Sequence, residues 1–197
     1  MPLLKRETDC FPAALFELPV DAFPWWVAHV RSRQEKALAR HLMPLEVPFY
    51  LPQREHRTRR AKRTLVSYLP LFPGYLFFRG SAAERLSALR SNLVVKVLDV
   101  PCQDLLTEEL AQLRSLQESG ASLAPCTPIS LGETVRIVDG PFKGYNGIVV
   151  RGADRPRLVI SISILRKAVA VELERGAVAP IPSRPGAFRR SARSAVA

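Results

Sequence analysis

The periodicity of the apolar residues changes at one short segment, residues 119–130, which is rich in small residues, Pro and Gly. Before this segment, helical and strand-like patterns alternate. After it, apolar residues recur at every second position, as in Leu158, Ile160 and Ile162, which is the period of a β-strand with one buried face. A segment of this composition between two differently patterned regions is typical of an interdomain linker. The sequence therefore predicts two small domains.

The predicted domain boundaries lie on either side of this linker. An N-terminal extension covers residues 1–24, the first domain 25–118, the second domain 131–176 and a basic tail 177–197. The tail contains four Arg and no acidic residue, with little apolar periodicity. We therefore expect the tail to be disordered unless a polyanion orders it.

Helix and strand signals alternate in the first domain. Ser32 with Glu35, and Ser81 with Glu84, have the spacing of a capping box, and Thr107 is a candidate N-cap for a third helix. The first helix is expected to end near Leu42. Strands are predicted at 25–30, 49–51, 64–69, 75–78 and 94–100. We expect an antiparallel sheet flanked by helices, in which residues 49–69 form a long hairpin with a basic tip.

The second domain is predicted to be all β, with strands at 135–138, 147–151, 157–164 and 168–173. A segment of about 45 residues must close its sheet to hide the edges, so a barrel of four or five strands and SH3 size is favoured. The predicted fold class is therefore α+β, with a sheet-and-helix domain followed by a small SH3-like β-barrel.

Charge indicates a polyanionic partner. The chain has 29 Lys plus Arg against 18 Asp plus Glu, a formal net charge of +11. Residues 25–100 hold 14 of these bases and five of the acids, which gives +9. A nucleic acid or an acidic membrane surface would suit this charge. The hairpin tip contributes six cations within ten residues: Arg54, Arg57, Arg59, Arg60, Lys62 and Arg63. Because no amphipathic helix accompanies them, a nucleic-acid backbone is favoured over lipid as the partner.

The remaining patterns indicate a cytoplasmic protein without a catalytic centre. No apolar stretch approaches the roughly 20 residues that cross a bilayer, and no secretory signal is evident. The three cysteines are widely separated and lack a C-x-x-C pair, and His29, His41 and His56 lack metal-ligand spacing. No Gly-x-Ser-x-Gly or phosphate-binding loop occurs. We therefore expect no enzyme activity, no metal and no cofactor.

Two motifs carry a family resemblance. The segment 132–149 places Gly140, Gly144 and Gly147 within eight positions between two strands, and this loop resembles the KOW motif. Upstream, the chain contains Leu-Phe-Pro-Gly-Tyr-Leu-Phe at 71–77 and Trp-Trp-Val at 25–27. In this order, the motifs resemble the NusG family of transcription factors over residues 25–173, with an N-terminal NGN domain, a linker and a C-terminal KOW domain. Because ribosomal proteins also carry KOW motifs, a ribosomal or RNA-binding structural protein is the alternative from another class.

The resemblance implies a polymerase-binding function. In the family, an apolar depression of the NGN domain docks on the clamp helices of the RNA polymerase largest subunit, which suppresses pausing and raises processivity. The candidate contacts here are Trp26, Phe72 and Tyr75. The basic hairpin would lie along upstream or non-template DNA through Arg57, Arg59, Arg60, Lys62 and Arg63. We expect a monomer.

Segments 61–77 and 34–42 are more similar to the specialised RfaH-like paralogs than to housekeeping NusG. In those paralogs, a polar face on the first helix and a nearby Arg read a base that is flipped out of a non-template DNA hairpin. The matching residues are Arg31, Gln34, His41 and Arg90. The resemblance therefore implies recruitment to particular operons, with a housekeeping NusG as the alternative.

The second domain is similar to the ordinary NusG barrel rather than to a segment that refolds into helices. In the family, its edge contacts a small-subunit ribosomal protein or the Rho termination factor. The corresponding residues are Ile164, Leu165 and Arg166. Housekeeping members usually have an aromatic residue followed by Gly where Leu165 and Arg166 stand. The departure argues against Rho and leaves the ribosomal protein as the expected partner.

Overall fold

The computed structural model describes residues 6–60, 63–121, 123–126, 133–137, 143–144, 146–151, 156–172 and 178–180. In the first domain, three helices accompany seven strands. The helices are α1 (Glu35–Leu42), α2 (Ala82–Arg90) and α3 (Gln103–Glu118). The strands are β1 (Cys10–Phe11), β2 (Trp25–Val30), β3 (Phe49–Tyr50), β4 (Gln53–Arg60), β5 (Arg63–Pro70), β6 (Tyr75–Arg79) and β7 (Val94–Asp99). The main sheet is antiparallel with the order β1-β3-β6-β2-β7, and β4 pairs with β5 in a separate two-stranded ribbon.

Both faces of the main sheet are covered, which explains why β2 reads as an almost continuous apolar run. Trp25 and Val27 belong to the core cluster that includes the apolar side of α3. Ala28 and Val30 belong to a second cluster with residues of α1 and α2. Because successive strand residues point to opposite faces, each side of the sheet needs its own apolar set.

The N-terminal extension is packed onto the first domain. Its β1 pairs with β3 at the edge of the sheet. Arg79 of β6 is fully buried and donates hydrogen bonds of 2.7–2.9 Å to the carbonyls of Leu15, Leu18 and Phe23. Its guanidinium also lies 5.0 Å from the centre of the Trp25 ring. A single buried cation thus holds three backbone carbonyls of the extension against the sheet.

The second domain is an antiparallel sheet with the order β13-β9-β10-β11-β12-β8. Its strands are β8 (Ala124–Cys126), β9 (Glu133–Ile137), β10 (Asn146–Arg151), β11 (Pro156–Ile162), β12 (Lys167–Glu172) and β13 (Val178–Pro180). The four predicted strands correspond to β9 to β12. The sequence did not predict β8, which lies within the predicted linker and pairs with β12, or β13, which lies within the predicted tail and pairs with β9. The α+β class with two sheet-containing domains is confirmed.

Two of the loop glycines are required by the backbone. Gly144 has φ +94°, a conformation that L-residues rarely adopt. A Cβ on Gly147 would lie 2.6 Å from Leu158 Cδ1 and 2.9 Å from the Val159 carbonyl oxygen, so β10 and β11 approach closely only with glycine there. Gly140 lies outside the described residues.

The predicted helix caps were right in one case of three. Ser81 and Glu84 form a capping box at the start of α2. The predicted box of Ser32 and Glu35 is wrong, because α1 begins at Glu35 and no side chain caps it. Thr107 is not an N-cap either, since α3 begins at Gln103. The Thr107 hydroxyl instead donates to the Gln103 carbonyl and accepts a 3.0 Å hydrogen bond from Trp25 Nε1.

Candidate functional site

A stacked pair of rings lies on the α3 side of the sheet. His29 of β2 and Tyr75 of β6 are directly opposite each other, with ring centres 5.3 Å apart and ring planes at 27°. Both side chains are half-buried. Their common face follows from strand pairing, since directly paired residues point to the same side of a sheet. From the sequence, His29 was considered only as a metal ligand; its place two residues after Val27 and four after Trp25 was the signal for this face.

The three residues predicted to bind polymerase do not form one surface. Trp26 lies on the opposite side of the sheet, where its Nε1 donates to the Gly80 carbonyl at 2.8 Å and Arg85 lies 5.2 Å from its ring centre. Phe72 is only 1% exposed and packs edge-on against Phe77. Of the three, Tyr75 is the one whose ring stacks with His29, and Phe72 lies buried in the turn beside it.

The second domain contacts the same side of the first domain. Lys167 Nζ lies 4.6 Å from the centre of the Tyr75 ring and 3.3 Å from the Pro73 carbonyl oxygen. Burial lowers the pKa of the Lys167 ammonium. Apolar side chains of α3, including Leu106 and Leu110, belong to the same core cluster as Leu158 and Ile160 of β11. The ring pair is therefore partly covered by β12.

A carboxylate on α3 makes a second contact between the domains. Glu109 accepts hydrogen bonds from the backbone N–H of Ser163 at 3.0 Å and from its hydroxyl. Burial raises the pKa of the Glu109 carboxyl, while the hydrogen bonds from Ser163 act in the opposite direction. Ser163 begins a short 3₁₀ turn, Ser163–Leu165, so this carboxylate holds the loop that joins β11 to β12.

That loop contains the residues predicted to bind a partner of the second domain. Ile164 is half-buried against the core, Leu165 is 9% exposed, and Arg166 is exposed with φ +50°. Arg166 N–H closes the turn by donating to the Ser163 carbonyl at 3.1 Å. In this arrangement, the loop presents the guanidinium of Arg166 rather than the two apolar side chains.

A polar surface lies on α1 and at the end of α2, on the side of the sheet away from Tyr75. Gln34 and His41 are half-buried and seven residues apart, which places them on one face of the helix. The Arg31 N–H donates to the Leu93 carbonyl at 2.8 Å, so this exposed residue lies beside the segment that follows α2. Arg90, also exposed, ends that helix. The structure is thus compatible with one surface for these four predicted residues.

The basic ribbon has two distinct faces. Arg57 and Arg59 share one face with Val66 and Tyr68, because Arg57 pairs with Val66 and alternate residues along each strand lie on the same face. Arg63 lies on the other face, and an ion pair joins Arg57 to Glu55. The Arg60 side chain and Lys62 lie outside the described residues. The ribbon therefore presents cations beside an aromatic ring.

The described ranges contain no group of three or more His, Cys, Asp or Glu side chains that could hold a metal ion. None of the helices within those ranges combines the length and the apolarity needed to span a membrane.

Comparison with known proteins agrees with the motifs. A family model described as transcription termination factor NusG matches residues 23–114. The chain is 29% identical over 166 residues to the NusG transcription termination/antitermination protein of Pseudomonas aeruginosa, covering 76% of this chain and 94% of the relative. It is 32% identical over 135 residues to the Vibrio cholerae protein of the same name, covering 65% and 74%.

Among solved structures, one described as showing the domain interaction in Thermotoga maritima NusG aligns with a TM-score of 0.51 at 19% identity. The alignment covers 83% of this chain and 100% of that one, and it supports the fold. With the Vibrio relative matched above 30% identity over most of its length, the chain belongs to the NusG family of transcription termination and antitermination proteins.

Proposed function

We propose that this protein is a non-enzymatic transcription elongation and antitermination factor that binds the clamp helices of the RNA polymerase largest subunit through its first domain. Bound there, it suppresses pausing and raises processivity. The observation that carries the proposal is the stacked pair of His29 and Tyr75 on the α3 side of the sheet. Aromatic side chains suit such a contact, because they bury a large area while losing little side-chain entropy.

The proposed contact differs from the one expected from the sequence. His29 and Tyr75 provide the contact surface, and Phe72 supports the turn from below, since it is buried against Phe77. Trp26 is not part of this contact, because it packs with Arg85 on the other side of the sheet.

Polymerase binding through this pair requires the second domain to move. Lys167 lies over the Tyr75 ring and bonds to Pro73, so clamp helices cannot reach the ring while β12 remains in place. Movement would also free the loop of Ile164, Leu165 and Arg166 for its proposed partner, a small-subunit ribosomal protein. Housekeeping members of the family usually have an aromatic residue followed by Gly where this loop has Leu165 and Arg166, and this difference argues against Rho as the partner.

Two surfaces are proposed to contact DNA. The ribbon, through Arg57 and Arg59, would lie along the phosphate backbone of upstream or non-template DNA. The surface of Arg31, Gln34, His41 and Arg90 would read a base in the non-template strand, since Gln and Arg side chains can form paired hydrogen bonds with a base edge. The second contact would restrict activity to particular operons.

The test is a single-round elongation assay with purified polymerase. Tyr75→Ala should lower polymerase affinity and abolish pause suppression. Phe23→Ala is the matched control, because Phe23 is an aromatic residue of the N-terminal extension that is 39% exposed. If Tyr75→Ala accelerates elongation as wild type does, the proposed contact is wrong. Failure of wild type to bind polymerase, with binding to ribosomal RNA instead, would favour a structural RNA-binding protein.

The alternative within the family is a housekeeping NusG, which is favoured by the names of the relatives, both NusG transcription termination/antitermination proteins. Replacing Arg31, Gln34 and His41 together by Ala separates the two possibilities. A specialised paralog should lose its template preference and keep its polymerase affinity. Equal activity of the wild-type protein on all templates would instead identify the housekeeping type.

A further inference from the structure

The turn that presents Tyr75 is held by hydrogen bonds on both sides. Tyr75 N–H donates to the Phe72 carbonyl at 3.1 Å, and the Gly74 carbonyl accepts a 2.8 Å hydrogen bond from Val30 N–H. Gly74 has φ +85°, a conformation that favours glycine in a turn, and the hydrogen bond that closes the turn does not use the Gly74 N–H, which therefore needs another acceptor. The position of Tyr75 therefore depends on what binds the Gly74 N–H.

That N–H donates to a carboxylate 39 residues earlier in the chain. Glu35, the first residue of α1, accepts it through Oε1 at 2.7 Å. Glu35 is only 6% exposed, and no ion pair to it is found among the described residues. Burying a carboxylate is unfavourable unless hydrogen bonds compensate, and bonds to an ionised acceptor are the strong ones. The geometry gives this buried carboxyl group a specific task, which is to fix the turn.

The two hydrogen bonds of Gly74 also fix the position of His29, the second ring of the pair. Gly74 binds Val30 through its carbonyl and Glu35 through its N–H, and His29 directly precedes Val30. A Cβ on Gly74 would lie 3.8 Å from Cδ2 of the His29 ring, so the turn and the ring are already in contact distance. A shift of the turn would therefore change the distance between the His29 and Tyr75 rings.

Glu35 also connects this turn to the proposed DNA-reading surface. It follows Gln34 directly and belongs to the helix that carries His41. The other end of the bond is in the turn before β6, which carries Tyr75. One hydrogen bond thus joins the helix of one proposed interface to the turn of the other.

We infer that Glu35 is a positioning residue for polymerase binding, holding the Phe72–Tyr75 turn so that Tyr75 stacks on His29 in the binding-competent arrangement. The inference rests on the proposed polymerase contact. What Glu35 must supply is an acceptor oxygen at the right distance, since no cation among the described residues requires its charge.

This requirement separates three variants of the full chain. Glu35→Gln retains an acceptor oxygen at the same reach and should bind core polymerase within about twofold of wild type. Glu35→Asp retains the charge but is one methylene shorter, and Glu35→Ala removes the acceptor; both should weaken binding about 10-fold or more, as expected when a buried backbone N–H is left without its acceptor. The Gly74 amide should exchange with solvent faster in Asp and Ala and remain protected in Gln.

Glu84 provides the matched control. It also accepts a backbone N–H, from Ser81 at 2.7 Å, but on α2. Glu84→Asp and Glu84→Gln should leave polymerase affinity unchanged. If Tyr75→Ala weakens binding while Glu35→Asp binds as wild type, the positioning role is wrong and the polymerase contact stands. Loss of binding in Glu35→Gln with wild-type binding in Glu35→Asp would show that charge, not acceptor reach, matters. Equal losses in both variants would show that charge is needed as well as reach, and either outcome would overturn the inference. Absence of polymerase binding by wild type would reject the proposed function itself.

Discussion

The Lys167 ammonium lies 4.6 Å from the centre of the Tyr75 ring, which joins a strand of the second domain to the aromatic pair of the first. The contact combines a cation–π interaction with a hydrogen bond to Pro73. It links the availability of the proposed polymerase surface to the position of the second domain.

Lys167→Ala should loosen this contact and increase the affinity for polymerase. A partly exposed cation–π contact contributes about 0.5–1 kcal/mol, so a gain of roughly 2- to 5-fold is expected. Titration of labelled core polymerase measures the effect. Lys143→Ala is the control, because Lys143 is exposed in the glycine loop of the same domain. An unchanged affinity in Lys167→Ala would show that this contact does not limit binding.

The contact between the domains should strengthen as the pH falls toward the ordinary pKa of a glutamic acid side chain. Burial raises the pKa of Glu109 above its ordinary 4.5, so the carboxyl takes up a proton more readily in the contact than when the domains are apart. The contact is therefore favoured at low pH and weakens as the pH rises through the raised pKa. Energy transfer between dyes on the two domains can follow this change. In Glu109→Gln, which has no titrating carboxyl, this pH dependence should disappear; its persistence would assign the effect to other groups.

Arg79→Leu should destabilise the first domain by about 3–5 kcal/mol, since a buried charged partner of three carbonyls is lost. Urea unfolding followed by tryptophan fluorescence provides the measurement. Arg90→Leu, at an exposed position, should change stability by less than about 0.5 kcal/mol. A similarly small effect of Arg79→Leu would mean that the extension contributes little to the fold.

Replacing Arg57 and Arg59 together by Ala should weaken DNA binding without abolishing a sequence preference. Each phosphate contact removed should lower the slope of log affinity against log salt by about 0.9 on duplex DNA and about 0.7 on single strands. Fluorescence anisotropy across a salt series measures this slope. Lys96→Ala is the control, because Lys96 is an exposed cation on β7 rather than on the ribbon. An unchanged slope in the double variant would exclude the ribbon from phosphate contact.

Local chemistry could be predicted from the sequence more reliably than pairing over long distances. The capping box of Ser81 and Glu84 is confirmed because both partners lie within one turn. The same spacing at Ser32 and Glu35 was misleading, since the Glu35 carboxylate is engaged by Gly74. The Ser-to-Glu spacing alone does not reveal that a backbone N–H far away in the sequence, here that of Gly74, takes the carboxylate as its acceptor.

The site shows the same limit. Trp26, Phe72 and Tyr75 were predicted to share one contact, but strand alternation places Trp26 on the opposite side of the sheet from Tyr75. Applying the two-residue period to β2 would have favoured His29. The contacts of Lys167 and Glu109 depend on how two domains meet, and neither residue carries a local signal for this.

The short strand contributed by the N-terminal extension has a consequence for solubility. Without β1, the unpaired backbone of β3 would form one edge of the main sheet and could pair with another chain. The two residues of β1 pair with both residues of β3, so the backbone on that side of β3 is already paired within the chain. The same segment that completes the first domain therefore also guards it against edge-to-edge aggregation.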